Sequence, residues 1–515
     1  MMGAPNGDQP VAATAGPLRW WQSRRMVIVA LVFLYPVGLV LLLTAPRRGR
    51  LEKIVAGVLF LPAMVFFALL ALKPFWDFAG RMSGPADLRL DFDRWIAPQR
   101  LEEDRVRQKQ QSDAPPQTTG PDALLRCTDF RGPERDGVYD GDDVSIDWQA
   151  DGPREVWRHP IGGGYASFVV GGGRIYTIEQ RRQRETVTCY DFATGREVWV
   201  FDYPASFEET LGGDGPRATP TLHGETLYAL GAEGHLHALN AATGELIGSA
   251  NILSDFGMDN LSWGLSGSPL VVDDLVIVTN SGAGSPSMIA YSHDLDRIIW
   301  KSDAGQQGYS SPAYAVLAGR PQILNFSGDA VQGIDPDDGE VLWRYDWPTY
   351  VGINVAQPIV VGADRVFVSS GYGMGCATLK ISETDGALAV EELWSSRHMR
   401  NKFSSSVVYD GNVYGLNEAI LGCIGAESGE RRWKGGRYNY GSLMLARGHL
   451  IVLSEDGELI LVEATPDGHN EKGRVRIFDA GKNWNNFAIV GGRLFARNHK
   501  EMVCYDLRPA STTAN

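Results

Sequence analysis

The stretch DFATGREVW, from Asp191 to Trp199, returns along this chain in related forms. DPDDGEVLW covers 335–343, GAESGERRW covers 425–433, and SHDLDRIIW covers 292–300. Most copies place a glycine turn before a strand-like run that carries a tryptophan. Measured on the tryptophan position, the phrase returns every 39 to 52 residues. Such a period is typical of propellers and solenoids.

The positions that align with the tryptophan occupy the same place in successive units. They are Trp157, Trp199, Gly248, Trp300, Trp343, Trp394, Trp433 and a position near Phe478. Between them, short alternating apolar runs are joined by tight turns, as in YASFVVGGGRIYTIE at 165–179. Three such strands and the tryptophan strand make the four antiparallel strands of one blade. The sequence therefore predicts an all-β fold, an eight-bladed β-propeller.

The two ends of the repeat complement each other. EVWRHP around Trp157 has no three strands before it, and the last unit, which ends EMVCYD at 501–506, has no fourth strand after it. We predict that the strand around Trp157 completes the last blade, because closure leaves no open sheet edge. We also predict that the tryptophans pack between blades, since exposed indole rings would make an aggregation-prone rim.

Near the start of the chain, residues 26–45 and 54–72 contain no charged side chain, and each is about as long as a bilayer core requires. Two buried helices of a soluble protein are the alternative, but the polar face that such helices need is missing. The sequence predicts a two-helix transmembrane hairpin at 26–73, after a short N-terminal tail at 1–25. Flanking arginines and lysines do not decide its orientation.

The remaining boundaries follow from composition. Residues 74–126 are polar, and we predict a solvated linker there. Residues 127–515 are left for the propeller. The formal net charge of -14 argues against a nucleic-acid-binding surface.

The tandem D-x-x-T-G-x-x-x-W phrase resembles the pyrroloquinoline-quinone-like repeat family over roughly residues 127–508. That family includes the BamB outer-membrane assembly lipoproteins and the quinoprotein alcohol dehydrogenases. The stretch FRGPERDGV at 130–138 also resembles the opening of many bacterial propellers of this type. The resemblance implies an extracytoplasmic propeller, which here means the periplasmic side of an inner membrane. It does not imply one activity, because the family contains enzymes and scaffolds.

Residues just before each innermost strand should ring one mouth of the central channel. They are Tyr165, Arg217, Trp263, Tyr309, Asn354, Lys402, Tyr440 and Trp484. Flat rings combined with fixed cations suit a planar anionic ligand, so we predict a cofactor-binding site there, with pyrroloquinoline quinone as the candidate occupant. The alternative is that the rings only fill a wide channel.

The resemblance to the quinoprotein dehydrogenases stops at their chemistry. Those enzymes hold the quinone against two adjacent disulfide-bonded cysteines, bind calcium and use an aspartate base. This chain has no adjacent cysteines, and only Asp214 and Asp259 are loose acidic candidates near the mouth. The sequence therefore identifies no catalytic residue and no certain cofactor, and pyrroloquinoline quinone stays the candidate.

No metal site is predicted either. Cys189, Cys423 and Cys504 share one repeat position, which is typical of core filling. His235 and His237 lie two residues apart on a strand and so face the same way, but the sequence shows no third ligand for a metal.

These features favour a membrane-anchored binding or assembly platform of the BamB type, with a protein partner or a planar anion at the channel mouth. A quinone-dependent oxidoreductase with an atypical site is the alternative. A sensor that signals through the hairpin is a third interpretation, although the short loop between the two apolar segments offers no signalling domain.

Overall fold

The computed structural model describes residues 93–111, 118–141, 143–149, 152–280, 286–350, 352–479 and 481–509. The predicted tail at 1–25 and hairpin at 26–73 lie outside the described residues. Among the residues that are described, no helix is both long enough and apolar enough to cross a membrane.

The described chain forms one α-helix, two short 3-10 helices and 33 strands. Helix α1 spans Asp93–Gln111, and the 3-10 helices span Gly120–Leu124 and Ser254–Phe256. Two strands precede the first complete blade: β1 (Val138–Tyr139) and β2 (Arg154–Pro160).

The other strands fall into eight sheets in chain order. Blade 1 contains β3 (Val169–Gly171), β4 (Arg174–Arg181), β5 (Arg184–Asp191) and β6 (Glu197–Tyr203). Blade 2 contains β7 (Thr221–His223), β8 (Thr226–Leu230), β9 (His235–Asn240) and β10 (Leu246–Asn251). Blade 3 contains β11 (Leu270–Val272), β12 (Leu275–Thr279), β13 (Met288–Ser292) and β14 (Ile298–Ser302). Blade 4 contains β15 (Ala313–Leu317), β16 (Arg320–Phe326), β17 (Ala330–Ile334) and β18 (Val341–Asp346).

The second half continues in the same way. Blade 5 contains β19 (Ile359–Gly362), β20 (Arg365–Ser370), β21 (Gly375–Thr384) and β22 (Ala387–Ser396). Blade 6 contains β23 (Val407–Tyr409), β24 (Asn412–Asn417), β25 (Ile420–Gly425) and β26 (Arg431–Arg437). Blade 7 contains β27 (Ser442–Ala446), β28 (His449–Leu453), β29 (Glu458–Glu463) and β30 (Glu471–Arg476), and blade 8 contains β31 (Ala488–Val490), β32 (Arg493–Arg497) and β33 (Glu501–Asp506). The predicted all-β propeller of eight antiparallel blades is confirmed.

The ring closes as predicted. Strand β2 pairs antiparallel with β33, so that Trp157 lies opposite Cys504 and the last blade gains its fourth strand. The first strands of neighbouring blades contact one another and therefore line the central channel. Closure pairs an edge of β33 that would otherwise be open to other chains.

Most of the repeat tryptophans lie between blades. In five of them the indole Nε1 donates to a carbonyl in the third-to-fourth-strand turn of the next blade. These bonds are Trp157 to Phe192 (3.4 Å), Trp199 to Ala241 (3.0 Å), Trp300 to Pro336 (2.9 Å), Trp394 to Ala426 (3.2 Å) and Trp433 to Thr465 (2.7 Å).

The tryptophan ring of one blade packs on the glycine of the repeated phrase in the next blade. Gly339 has φ of +80°, and a Cβ built on it would lie 2.6 Å from Cε3 of Trp300. Only glycine combines that backbone conformation with so close an approach. The glycine and tryptophan of the phrase thus recognise each other across successive blades, which explains why both recur.

Three positions depart from this pattern. Trp343 bonds Gln322 of its own blade at 2.5 Å. At Gly248 the missing ring leaves room for the backbone of the next turn, at Asp294. In blade 7 the prediction near Phe478 is wrong, because the residue that holds the tryptophan position, opposite Leu461, is Gly473.

In blade 7, the space that a repeat tryptophan would occupy is filled by a residue from outside the repeat. A Cβ on Gly473 would lie 2.7 Å from Cβ of Trp148, which precedes the ring-closing strand. Trp148 is buried, and its Nε1 donates to the Ser145 carbonyl at 3.1 Å. Trp148, from the segment that precedes the propeller strands, therefore packs where the tryptophan of blade 7 would pack.

The lead-in at 127–149, here called the strap, crosses one end of the channel. Cys127 forms a bridge with Val170 at the end of β3, and β1 pairs in parallel with β27 of blade 7. Both partners lie at the C-terminal ends of inner strands. The strap therefore lies across the end opposite the mouth where the inner strands begin, without sealing it.

Helix α1 packs on the outer edges of blades 8 and 1. Arg105 donates from Nε to Glu197 at 3.0 Å and from Nη2 to the Pro160 carbonyl of β2 at 3.2 Å. The sequence predicted a solvated linker across this stretch, and no recurring apolar face marks it as a docked helix. The structure differs here because charged and amide groups, with Leu101 buried beside them, hold the helix at the point of ring closure.

Candidate functional site

The predicted mouth residues lie in the connections that enter each inner strand. Backbone bonds tie neighbouring connections together: the Tyr165 amide donates to the Pro216 carbonyl at 2.8 Å, and the Tyr309 amide donates to the Asn354 carbonyl at 2.7 Å. The repeat geometry therefore places the predicted side chains around one opening, although their contacts differ from one blade to the next.

Aromatic rings from blades 1, 6, 7 and 8 pack on one another there. Tyr165 and Trp484 are stacked, with ring centroids 5.8 Å apart and planes 18° apart. Phe403, which the sequence did not single out, joins Trp484 at 4.7 Å and Tyr440 at 5.3 Å. Trp263 and Tyr309 form a separate edge-to-face pair at 5.8 Å. These contacts favour the alternative interpretation, in which the aromatic rings fill part of the channel.

Lys402 lies against three of these rings. Its Nζ is 4.4 Å from the centroid of Tyr440 and 5.2 Å from those of Tyr372 and Phe403. Burial lowers the pKa of Lys402 from its ordinary value. The ammonium group is thus held partly by ring faces, which attract cations.

Arg217 is held by its own loop. Its guanidinium lies 4.3 Å from the centroid of Phe207 and 5.6 Å from that of Tyr165. It donates to the Gly213 carbonyl at 2.5 Å and to the Gly215 carbonyl. Burial lowers the pKa of Arg217 to about 10, because it disfavours the charged form.

Asn354 is part of the channel wall. Its side chain is fully buried, donates to the Ser327 carbonyl at 2.8 Å and accepts from Ser370 Oγ at 2.5 Å. Asn354 thus uses its side-chain amide to join the segments that carry Ser327 and Ser370.

Three carboxylates also border the mouth: Asp214, which the sequence analysis named, and Glu455 and Glu209, which it missed. Glu455 accepts from Trp484 Nε1 at 2.7 Å, and burial raises its pKa. Glu209 accepts from the Leu211 amide at 3.0 Å, and Asp214 accepts from the Glu209 amide at 3.2 Å. Glu209 lies earlier than Arg217 in the connection that enters β7, and Glu455 lies in the turn between β28 and β29, so the position rule that predicted the ring did not find them.

The family comparison agrees with this architecture. The family model described as outer membrane protein assembly factor BamB matches residues 140–247 and 183–435, together more than half of the chain. The chain belongs to the BamB family. No curated protein matches it.

Solved structures resemble this BamB-family chain at low identity. BamB from Moraxella catarrhalis is 15% identical with a TM-score of 0.48, covering 70% of this chain and 99% of its own. Quinohemoprotein alcohol dehydrogenase from Comamonas testosteroni is 12% identical with a TM-score of 0.52, covering 82% and 84%. A europium-containing methanol dehydrogenase is 11% identical with a TM-score of 0.53, covering 71% and 96%. At such identities the likeness shows the fold alone.

The mouth of this BamB-family propeller does not fit a quinone held with a calcium ion. Two guanidinium nitrogens of Arg217 bond loop carbonyls, and Glu455 and Glu209 accept bonds from the protein itself. The other acidic candidate, Asp259, is exposed on its loop. Over the described ranges, no three or more histidines, cysteines, aspartates or glutamates converge as metal ligands.

His499 is a further mouth residue that sequence reasoning missed. Its ring lies 4.4 Å from that of Tyr165, edge to face, in the turn between β32 and β33. Burial, with the charges of Arg497 and Arg217, lowers the pKa of His499 to about 3, so the imidazole is neutral. Nε2 of His499 and the Tyr165 hydroxyl are buried and lack a hydrogen-bond partner among the described residues.

The cysteines occupy the predicted core position. Cys189, Cys423 and Cys504 lie on third strands, each opposite the tryptophan of its blade, and all are buried. Burial raises the pKa of Cys423 to about 11, which leaves the unreactive thiol.

His235 and His237 do face the same way, with rings 6.2 Å apart and nearly parallel. His237 packs against Tyr203 at 4.4 Å and Phe201 at 5.0 Å. Burial lowers the pKa of His237 to about 4, so the pair is a packed, neutral cluster between blades 1 and 2.

Proposed function

We propose that this chain is a membrane-anchored binding or assembly platform, carried on the periplasmic side of a bacterial inner membrane. Membership of the BamB family supports the platform role. The uncharged segments at 26–45 and 54–72 support the anchor. The platform itself is a closed ring in which five tryptophans bond one blade to the next.

Exposed apolar side chains on the inner strands, in the part of the channel beside the strap, carry this proposal. On inner strand β15, Tyr314 is 43% exposed and Val316 is 53% exposed, while the alternate residues are buried. Val360 on β19 of the next blade is 42% exposed. Apolar groups that gather at an opening, rather than being scattered, are typical of interaction sites.

A cavity of about 300 Å³ adjoins these residues. Its walls include Val271 and Tyr314 from the inner strands, and Pro133, Glu134 and Asp273 at its edge. A mostly polar lining that carries acids and a few apolar groups fits a protein segment with a basic side chain beside an apolar one. The partner that we propose is therefore a protein with an exposed segment of that composition.

Site-specific photocross-linking in cells tests the platform. A photoreactive residue at Val316 is expected to give one discrete adduct, and Tyr314→Asp is expected to abolish it, because a carboxylate would repel an apolar segment. The matched control is Ile299, which is 44% exposed on the outer strand of blade 3, outside this opening. Equal adducts at Val316 and Ile299, or an adduct unaffected by Tyr314→Asp, would contradict the proposal.

The alternative function, a quinone-dependent oxidoreductase, predicts that the chain binds the quinone. We expect no heat on titration of the purified chain with pyrroloquinoline quinone and calcium, because Arg217 and the nearby acids already bond within the protein. Saturable binding weakened by Arg217→Ala, together with quinone-dependent turnover of an alcohol, would instead favour the enzyme.

A further inference from the structure

Blade 6 carries a cluster of cations in a chain of net charge -14. We call Arg397, Arg400, Lys434 and Arg437 the blade 6 basic patch. Arg400 is 3.5 Å from Glu418. Arg397, Lys434 and Arg437 are exposed, and none forms an ion pair within the part of the chain that the structure describes.

Three cations of this patch, Arg400, Lys434 and Arg437, lie close enough to repel one another. Partial burial lowers the pKa of Lys434, and the positive charges of Arg400, Arg431 and Arg437 lower it further, whereas Glu418 opposes them. Like charges held together on a fixed strand are relieved by an anionic partner. The patch is thus better suited to a dense negative surface than to water alone.

The patch faces the mouth end of the ring. Arg437 ends β26, and Arg400 lies in the connection that enters β23, two residues before the mouth residue Lys402. The Glu418 amide, in the turn between β24 and β25, donates to the Arg400 carbonyl at 2.8 Å. Fourth strands end, and inner strands begin, at this end.

Followed from the propeller back toward the N-terminus, the chain leaves the ring at the mouth end. Glu102 of α1 pairs with Arg182 in the turn between β4 and β5, at the mouth end. Further along the helix, the Gln108 carbonyl accepts from Arg196 at 2.5 Å, in the turn between β5 and β6 at the strap end. Helix α1 therefore runs from the mouth end to the strap end, and Asp93 lies on the mouth side.

Chain length agrees with a membrane on that side. Nineteen residues, 74–92, separate the predicted hairpin from α1. A segment of that length reaches at most about 65 Å when extended. The mouth face can therefore approach a bilayer in which the hairpin is embedded.

We propose that the mouth face of blade 6 rests on the anionic headgroups of the membrane that holds the anchor. This inference builds on the proposed membrane anchor. Guanidinium and ammonium groups bond headgroup phosphates without a shaped pocket. Each cation near such a surface favours contact by about fivefold.

A lipid surface fits the patch better than an acidic protein does. Protein interfaces concentrate aromatic and apolar groups at their centre. The mouth rings Phe403 and Tyr440 already contact each other and Lys402, and Tyr409, the exposed large apolar side chain of blade 6 among the described residues, lies at the strap end. With the mouth face toward the membrane, the strap end and its apolar opening are left toward soluble partners.

Hydrogen exchange on the 515-residue chain in nanodiscs tests the contact. Amides at 431–437 and 397–400 are expected to exchange more slowly in discs that contain phosphatidylglycerol than in phosphatidylcholine discs. High salt should remove the difference, because exposed charges are screened. Lys434→Gln with Arg437→Gln should weaken the contact by about 25-fold, which is two steps of about fivefold.

The control variant is Arg431→Gln with Arg432→Gln, which removes the same charge from the strap end of the same strand, where both side chains are exposed, and should leave the protection unchanged. Equal exchange in both kinds of disc, or equal losses in the two double variants, would overturn the proposal. A chain that does not float with lipid would show that the anchor is wrong. The patch is then tested by co-sedimentation with phosphatidylglycerol vesicles, where binding that is absent, or unchanged by the Lys434 and Arg437 substitutions, overturns it.

Discussion

Replacing Trp300 by alanine is expected to lower the free energy of unfolding by about 3–5 kcal/mol, as truncation of a buried aromatic side chain does. The ring is only 6% exposed, packs on Gly339 of the next blade and donates to the Pro336 carbonyl. Its removal leaves a cavity between blades 3 and 4 and a carbonyl without its donor. Chemical denaturation of the parent and the variant measures the loss.

The neighbouring residue on the same strand supplies the control. Ile299 is exposed on the opposite face of β14, so Ile299→Thr, which keeps a β-branched side chain, should change stability by no more than about 0.5 kcal/mol. If Trp300→Ala and Ile299→Thr cost the same, the tryptophan does not lock one blade to the next.

Replacing Arg135 by methionine is expected to cost a similar amount, about 3–5 kcal/mol, because it removes one partner of a buried ion pair. Arg135 Nη2 lies 2.8 Å from Asp129 Oδ1, and Nη1 donates to the Pro312 carbonyl at 2.8 Å and to the Ser268 carbonyl at 3.3 Å. One guanidinium thus joins the strap to blades 3 and 4. The midpoint of denaturant unfolding should fall accordingly.

Glu134 provides the control substitution for the Arg135→Met experiment. It is the exposed neighbour of Arg135 in the strap, so Glu134→Gln should stay within about 0.5 kcal/mol of the parent. An Arg135→Met variant as stable as Glu134→Gln would mean that the strap lies on the ring without holding it.

Much of the fold could be predicted because it repeats. Turn glycines, alternating apolar residues and a recurring tryptophan are local signals, and eight copies of them reinforce one another. Even ring closure could be read, since EVWRHP and EMVCYD lack complementary strands at the two ends. The mouth positions followed from the same periodicity, because each connection enters its inner strand at the same end.

The contacts at those positions could not be predicted in this way. Periodicity places Arg217 and Asn354 at equivalent points, yet one bonds the carbonyls of its own loop and the other bonds Ser327 and Ser370. Phe403 and His499 complete the ring packing although neither was singled out in the sequence. Side-chain partners depend on the loops that converge from several blades, and those loops do not repeat.

By itself, the sequence determined the repeating unit, the number of blades and the strand that closes the ring, since each depends on short stretches that specify the same local geometry again and again. Only the tertiary structure decided what the unrepeated segments do. Trp148 fills the wedge of blade 7, Arg135 joins the strap to two blades, and α1 docks through Arg105. Such contacts join residues tens to hundreds of positions apart through single charges and rings. A feature that occurs once leaves no period in the sequence, so its partner becomes visible only when the ring has brought the two together.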